Sequence, residues 1–181
     1  MNILIVEDGK DKRHNIKKAI QRIKQAENCN IEVAKTYFSA KNKIILLKKN
    51  YDLIILDMFL PDAKDDEERK GLAGKDLIFD IMSAEIKIPI LVVTQYTEYT
   101  NKLKKNERGE REIPHMMENL FYGKIIEKDK NRWYDCTYYK GLHEYLQAEA
   151  PIYLGIIFYS NQSRDWENNL KYFLNKLKED N

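Results

Sequence analysis

Cysteine and glycine are scarce in this chain, and their scarcity removes several classes of protein at once. The two cysteines, Cys29 and Cys136, lie far apart. They make neither a disulfide framework nor a metal-ligand spacing, and read as free thiols of a reducing compartment. The seven glycines include no glycine-rich phosphate loop, which counts against a nucleotide-binding flavodoxin-like module. No apolar run is long enough to span a bilayer, and no charged-then-apolar leader precedes the first apolar run. A cytoplasmic protein with no membrane role is therefore expected. Neither sign of charge prevails: 31 basic residues face 29 acidic ones, for a net charge of +2, so bulk charge gives no argument for nucleic acid. The three histidines, His14, His115 and His143, form no close metal-binding pair.

What the chain does have is a set of short, continuous apolar runs that end in oxygen-bearing residues. Asn2–Val6 runs into Glu7 and Asp8, Leu53–Leu56 into Asp57, and residues 90–93 into Thr94. Such runs fit parallel strands covered by helices on both faces. Further strands are expected at residues 31–34 and 153–159. Between them fall helical patterns at residues 11–25, with Ile16, Ala19, Ile20 and Ile23 inward, and from Thr36 or Ser39 to about Lys49, with Ile44, Ile45 and Leu47 inward and Asn50 closing it. Others cover residues 75–84 and a last amphipathic stretch around Trp166, Leu170, Phe173, Leu174 and Leu177. This alternation predicts a doubly wound five-stranded parallel α/β sheet, flavodoxin-like, in the order 2-1-3-4-5. Residues 1–181 are expected to form one domain, interrupted by an excursion over residues 95–150. That excursion holds a polar loop, a weak hairpin across residues 118–139 and a short helix over residues 141–149.

In such sheets ligands gather at the carboxyl ends of the strands. Strands 1 and 3 are neighbours in the expected order, so Glu7, Asp8 and Asp57 converge. Carboxylates held that close raise one another's proton affinity, and a divalent cation relieves the cost. Magnesium suits an all-oxygen set with room for phosphate oxygens. The bland reading makes the same acids helix caps or solvated strand ends. On the metal-site reading, Asp57→Asn without a metal is expected to be neutral or stabilising, because it removes like-charge repulsion, and a strong loss of stability would make Asp57 a structural hydrogen-bonding group instead.

Three segments together resemble a response-regulator receiver domain. ILIVEDGKDKRHNIKKAI is similar to the first strand, acidic pair and first helix. YDLIILDMFLPD is similar to the third strand with its phospho-accepting aspartate and following turn, and IPILVVTQYT to the fourth strand ending in a hydroxyl residue. The resemblance covers residues 1–100 and returns near residues 152–178. It implies that Asp57 accepts a phosphoryl group and that Thr94 is the switch hydroxyl. Glu7, Asp8, Asp57 and the backbone carbonyl of Phe59 would hold Mg2+. It further implies phosphorelay signalling of two-component type through a protein partner, a histidine kinase or a downstream effector, without turnover of a substrate. The chain closes soon after its last helix, so a stand-alone module is expected.

The sequence also departs from that pattern. Receiver domains end strand five with a lysine that pairs with the aspartate and its phosphate. Here Phe158 or Tyr159 takes that place, and no lysine occurs between Lys140 and Lys171. The expectation is weak phosphorylation, or a phosphorylation-independent docking domain, unless Lys124 or Lys128 swings over the site. The excursion and the charged segment at residues 63–70 flank the same edge. A magnesium-dependent phosphohydrolase of the haloacid-dehalogenase kind is disfavoured, because Phe59 stands where its second aspartate would be.

Overall fold

The computed structural model describes residues 1–23, 29–62, 73–94, 146, 148–161 and 164–179. The expected excursion lies outside the described residues, apart from residues 146 and 148–150, of which 146, 148 and 149 are helical, within the helix expected over residues 141–149. The charged segment at residues 63–70, Cys136 and both candidate rescue lysines, Lys124 and Lys128, also lie outside them. The strands are β1 (Asn2–Val6), β2 (Asn30–Ala34), β3 (Leu53–Leu56), β4 (Ile90–Thr94) and β5 (Tyr153–Phe158). They pair in parallel in the order β2-β1-β3-β4-β5, as expected. The helices are α1 (Lys10–Ile23), α2 (Tyr37–Lys41), α3 (Ala73–Ser83) and α4 (Asp165–Glu179). Among the described residues no helix is long and apolar enough to cross a membrane.

The sheet is buried on both sides because its strands are apolar at successive positions, not alternate ones. Leu4, Val6, Ile54, Leu56, Ile90, Val92 and Ile156 face a core with α2 and α3. Ile3, Ile5, Leu53, Ile55, Leu91, Val93 and Ile157 face a second core with α1 and α4. One irregularity matters at the edge. The β4–β5 register shifts between Ile90 and Leu91, and Gly155 takes φ 152°, which a side chain would strain.

Thr36 caps α2, its hydroxyl accepting from the Ser39 N–H at 3.0 Å. The expected continuous helix to Lys49 does not form. After Lys41 the chain passes into a π-helical turn, Asn42–Leu46, in which the Leu47 N–H donates to the Asn42 carbonyl at 2.9 Å. One extra residue per turn rotates the downstream side chains by about 100°. Ile44 stays buried, but Leu47, expected inward, is 58% exposed. Lys48, with φ 46°, makes the left-handed stop expected at Asn50.

Glu32 on β2 ties this turn to the sheet. Its carboxylate accepts from Lys43 at 2.8 Å, from Lys49 at 3.0 Å and from the Tyr51 hydroxyl at 3.1 Å. The lysine hydrogen bonds, Lys43 first, favour the charged form and hold the carboxyl down at about 2. A group with a lowered folded pKa stabilises the fold above its unfolded value and loses that contribution as pH falls. Glu32→Gln should therefore lower the stability at neutral pH, by about 1 kcal/mol or less for so accessible a cluster. The gap to wild type should close between about pH 4.5 and about pH 2. Thermal melts across that range check it, and a gap that persists in acid would assign Glu32 a packing role.

Candidate functional site

Parallel pairing sets the site. Val6 lies opposite Leu56, so the residues that follow each leave the sheet side by side. The ladder runs one step further: the Glu7 N–H donates to Ala34 at 3.0 Å and the Asp57 N–H to Val6 at 2.9 Å. Glu7, Asp8 and Asp57 each bring one oxygen into a group spanning no more than 4.8 Å. This all-oxygen set could hold a hard metal ion. Asp57 Oδ1 also accepts from the Met58 N–H at 2.9 Å, which fixes its rotamer. Thr94 closes β4, fully buried, with its carbonyl accepting from the Tyr159 N–H at 2.8 Å. Phe59 is partly buried against the core beneath α3.

The loop beyond Asp57 is held at two points. The Pro61 carbonyl accepts from the Tyr37 N–H at 3.0 Å, satisfying a donor at the start of α2. On the other side the Gly74 N–H donates to Met58 at 3.1 Å. A methyl group built on Gly74 would lie 2.3 Å from the Asp57 carbonyl oxygen, so only glycine lets α3 approach this closely.

The sequence reading missed two cations from α1. Lys12 is 3% exposed, and its ammonium lies 2.7 Å from Glu7 Oε2 and 2.9 Å from Asp57 Oδ1. Arg13 donates to the carbonyls of Glu7 and Asp8 at 3.1 and 2.9 Å and braces the β1–α1 loop. Burial pushes the Glu7 carboxyl up to about 7, against the pull of Lys12 and with some help from Asp57. For Lys12, burial works against the charge, but Asp57 and Glu7 outweigh it and hold its pKa above the ordinary value. The expectation of a site without a lysine clamp therefore needs correction: an ammonium is present, supplied by α1 rather than β5. The β5-end residue on its side is Tyr159, whose ring centroid is 6.0 Å from Lys12 Nζ, whereas Phe158 packs against the other core.

A doubly wound sheet in this strand order, with an acidic cluster at the carboxyl ends of β1 and β3, defines a flavodoxin-like α/β domain, and solved structures share that fold. The chain matches a response-regulator receiver domain from Rhodospirillum rubrum over 97% of its length and 94% of that chain. The TM-score is 0.55 and the identity 15%. It matches the Mn(2+)-bound form of response regulator Rcp1 over 95% of its length and 90% of that chain, with a TM-score of 0.46 and 16% identity. It matches the HemR receiver domain of Leptospira biflexa over 52% of its length and 64% of that chain, with a TM-score of 0.39 and 30% identity. Of three further matched structures it spans 52%, 60% and 66% of the length. No family model and no curated protein matches the sequence. The chain thus has the fold of response-regulator receiver domains.

Proposed function

We propose that this protein is an atypical receiver-like signalling module in which Asp57 accepts a phosphoryl group and Glu7, Asp8 and Asp57 hold Mg2+. The observation that supports this most is the convergence of those three carboxylates within 4.8 Å at the carboxyl edge of the sheet. Magnesium, when bound, supplies the positive charge that lets a phosphoryl group approach an acidic cluster. Asp57 is the nucleophile, aligned by the Met58 N–H. The carbonyl of Phe59 is the further metal ligand, and Thr94 at the end of β4 supplies the hydroxyl that answers the new charge. The output is binding of a protein partner, an upstream kinase or a downstream effector, in the cytoplasm. Phe59 two residues after Asp57 leaves no second aspartate for hydrolysis, which favours a binding module over a phosphohydrolase.

Magnesium titration followed by tryptophan and tyrosine fluorescence should give weak, saturable binding that Asp8→Asn lowers by about tenfold. Beryllofluoride added with magnesium should then shift the amide resonances of Met58 and Thr94 in wild type but not in Asp57→Asn. Identical titrations of wild type and Asp8→Asn would remove the metal assignment. A second reading, a docking domain that works without phosphorylation, is favoured by one feature: Lys12 already neutralises part of the cluster. Beryllofluoride leaving the spectrum unchanged would select it.

A further inference from the structure

Lys12 stands where local preference opposes it. It is the third residue of α1, in the first turn, where the helix carries partial positive charge and a cation is disfavoured. Its side chain is 2% exposed, although lysines are almost never fully buried unless paired. What holds it is the pair of carboxylates at 2.7 and 2.9 Å, those of Glu7 and Asp57. Its stem continues the apolar stripe of Ile16, Ala19 and Ile20 against the sheet, and its head passes beside the Tyr159 ring to reach the site.

We propose that Lys12 is the internal cation of the Asp57 site, balancing Asp57 and Glu7 before modification and turning to the phosphoryl oxygens afterwards. This rests on Asp57 being the phospho-acceptor. With an acyl phosphate as donor, an Asp57 carboxylate oxygen attacks phosphorus. The new O–P bond forms as the bond from phosphorus to the acyl oxygen breaks, and the acyl carboxylate leaves with that electron pair. No proton moves. The side chain gains roughly one negative charge, directly beside the ammonium. A preplaced cation in a site shielded from water stabilises that developing charge without reorganisation. The same ammonium repels a divalent ion at the shared carboxylates, so Lys12 also sets how tightly magnesium is held.

The test uses the full chain with acetyl phosphate and magnesium, read by intact mass, together with calorimetric magnesium titration. Wild type should gain one phosphoryl increment that Asp57→Asn lacks. Lys12→Met should label about a hundredfold more slowly, and its magnesium affinity should rise about tenfold. A lysine with a purely structural role would not have its loss repaired by an ammonium placed elsewhere at the site. Moving the ammonium across the site in Lys12→Met/Tyr159→Lys should recover labelling, at least in part. If Lys12→Met does not fold, Lys12→Gln carries the test: it removes the charge but keeps a polar group, and a folded Lys12→Gln that labels at the wild-type rate overturns the assignment. Labelling of Lys12→Met at the wild-type rate with unchanged magnesium affinity overturns the Lys12 role and leaves Asp57 as acceptor. Wild type that never labels refutes the acceptor reading itself.

Discussion

Gly74→Ala is expected to destabilise the protein by about 3 kcal/mol and to disturb the Asp57 site with it. On helix propensity alone the change is favourable by about 1 kcal/mol, since glycine is a poor helix former and Gly74 is the second residue of α3. Packing reverses the sign. The added carbon would lie 2.3 Å from the Asp57 carbonyl oxygen, 2.7 Å from Met58 Cα and 3.1 Å from the Asp57 carbonyl carbon. All three are backbone atoms, so no rotamer relieves the clash. Either α3 withdraws and loses the Gly74–Met58 hydrogen bond, or the Asp57–Met58 peptide turns. The second route swings Asp57 away from Lys12 and from its Met58 N–H bond. Overpacking of a tight interior contact costs about 1–3 kcal/mol, and the backbone contact puts this site at the upper end. Urea denaturation measures the loss. A midpoint equal to wild type or higher would mean that propensity wins and that the β3–α3 corner yields freely.

Much of this architecture is legible in the residues because burial on both faces writes itself plainly. Ile3 to Val6, Leu53 to Leu56 and Ile90 to Val93 are apolar without alternation, and that pattern requires helices above and below the sheet. The Thr36 cap is equally local. The π-helical turn was not legible: Ile44, Ile45 and Leu47 fit an α-helical stripe, and only the extra residue in the turn sends Leu47 outward. The acidic half of the site followed from strand order, since neighbouring parallel strands bring Glu7 and Asp57 together. Lys12 escaped because a lysine among polar neighbours reads as solvated. The signal was present nonetheless. Lys12, Ile16, Ala19, Ile20 and Ile23 follow helical spacing, so the apolar stripe of α1 extended back one turn ends on a lysine. A charge on the buried face of a helix needs a partner, and the acidic strand ends beside it were the available ones.

That pairing reverses one expectation about stability. With like charges alone, Asp57→Asn would be neutral or stabilising, whereas in this structure Asp57 is a partner of Lys12. Lys12→Met is expected to cost about 3–5 kcal/mol in the absence of metal, because it leaves a buried Glu7 facing Asp57 with no cation between them. Asp57→Asn is expected to cost less, about 1–3 kcal/mol, because Lys12 keeps Glu7 and the amide oxygen still accepts from Met58. The two losses should not add. Once the ammonium is gone, replacing Asp57 by asparagine relieves repulsion, so Lys12→Met/Asp57→Asn should be more stable than Lys12→Met alone, with a coupling larger in magnitude than the Asp57→Asn loss itself. Urea denaturation of the four proteins in a chelating buffer gives the cycle directly. Magnesium should return much of the stability lost in Lys12→Met and little of that lost in Asp57→Asn, since only the former keeps all three carboxylates. Strictly additive losses would mean that Lys12 and Asp57 contribute independently and that the ammonium is not what holds the acidic cluster together.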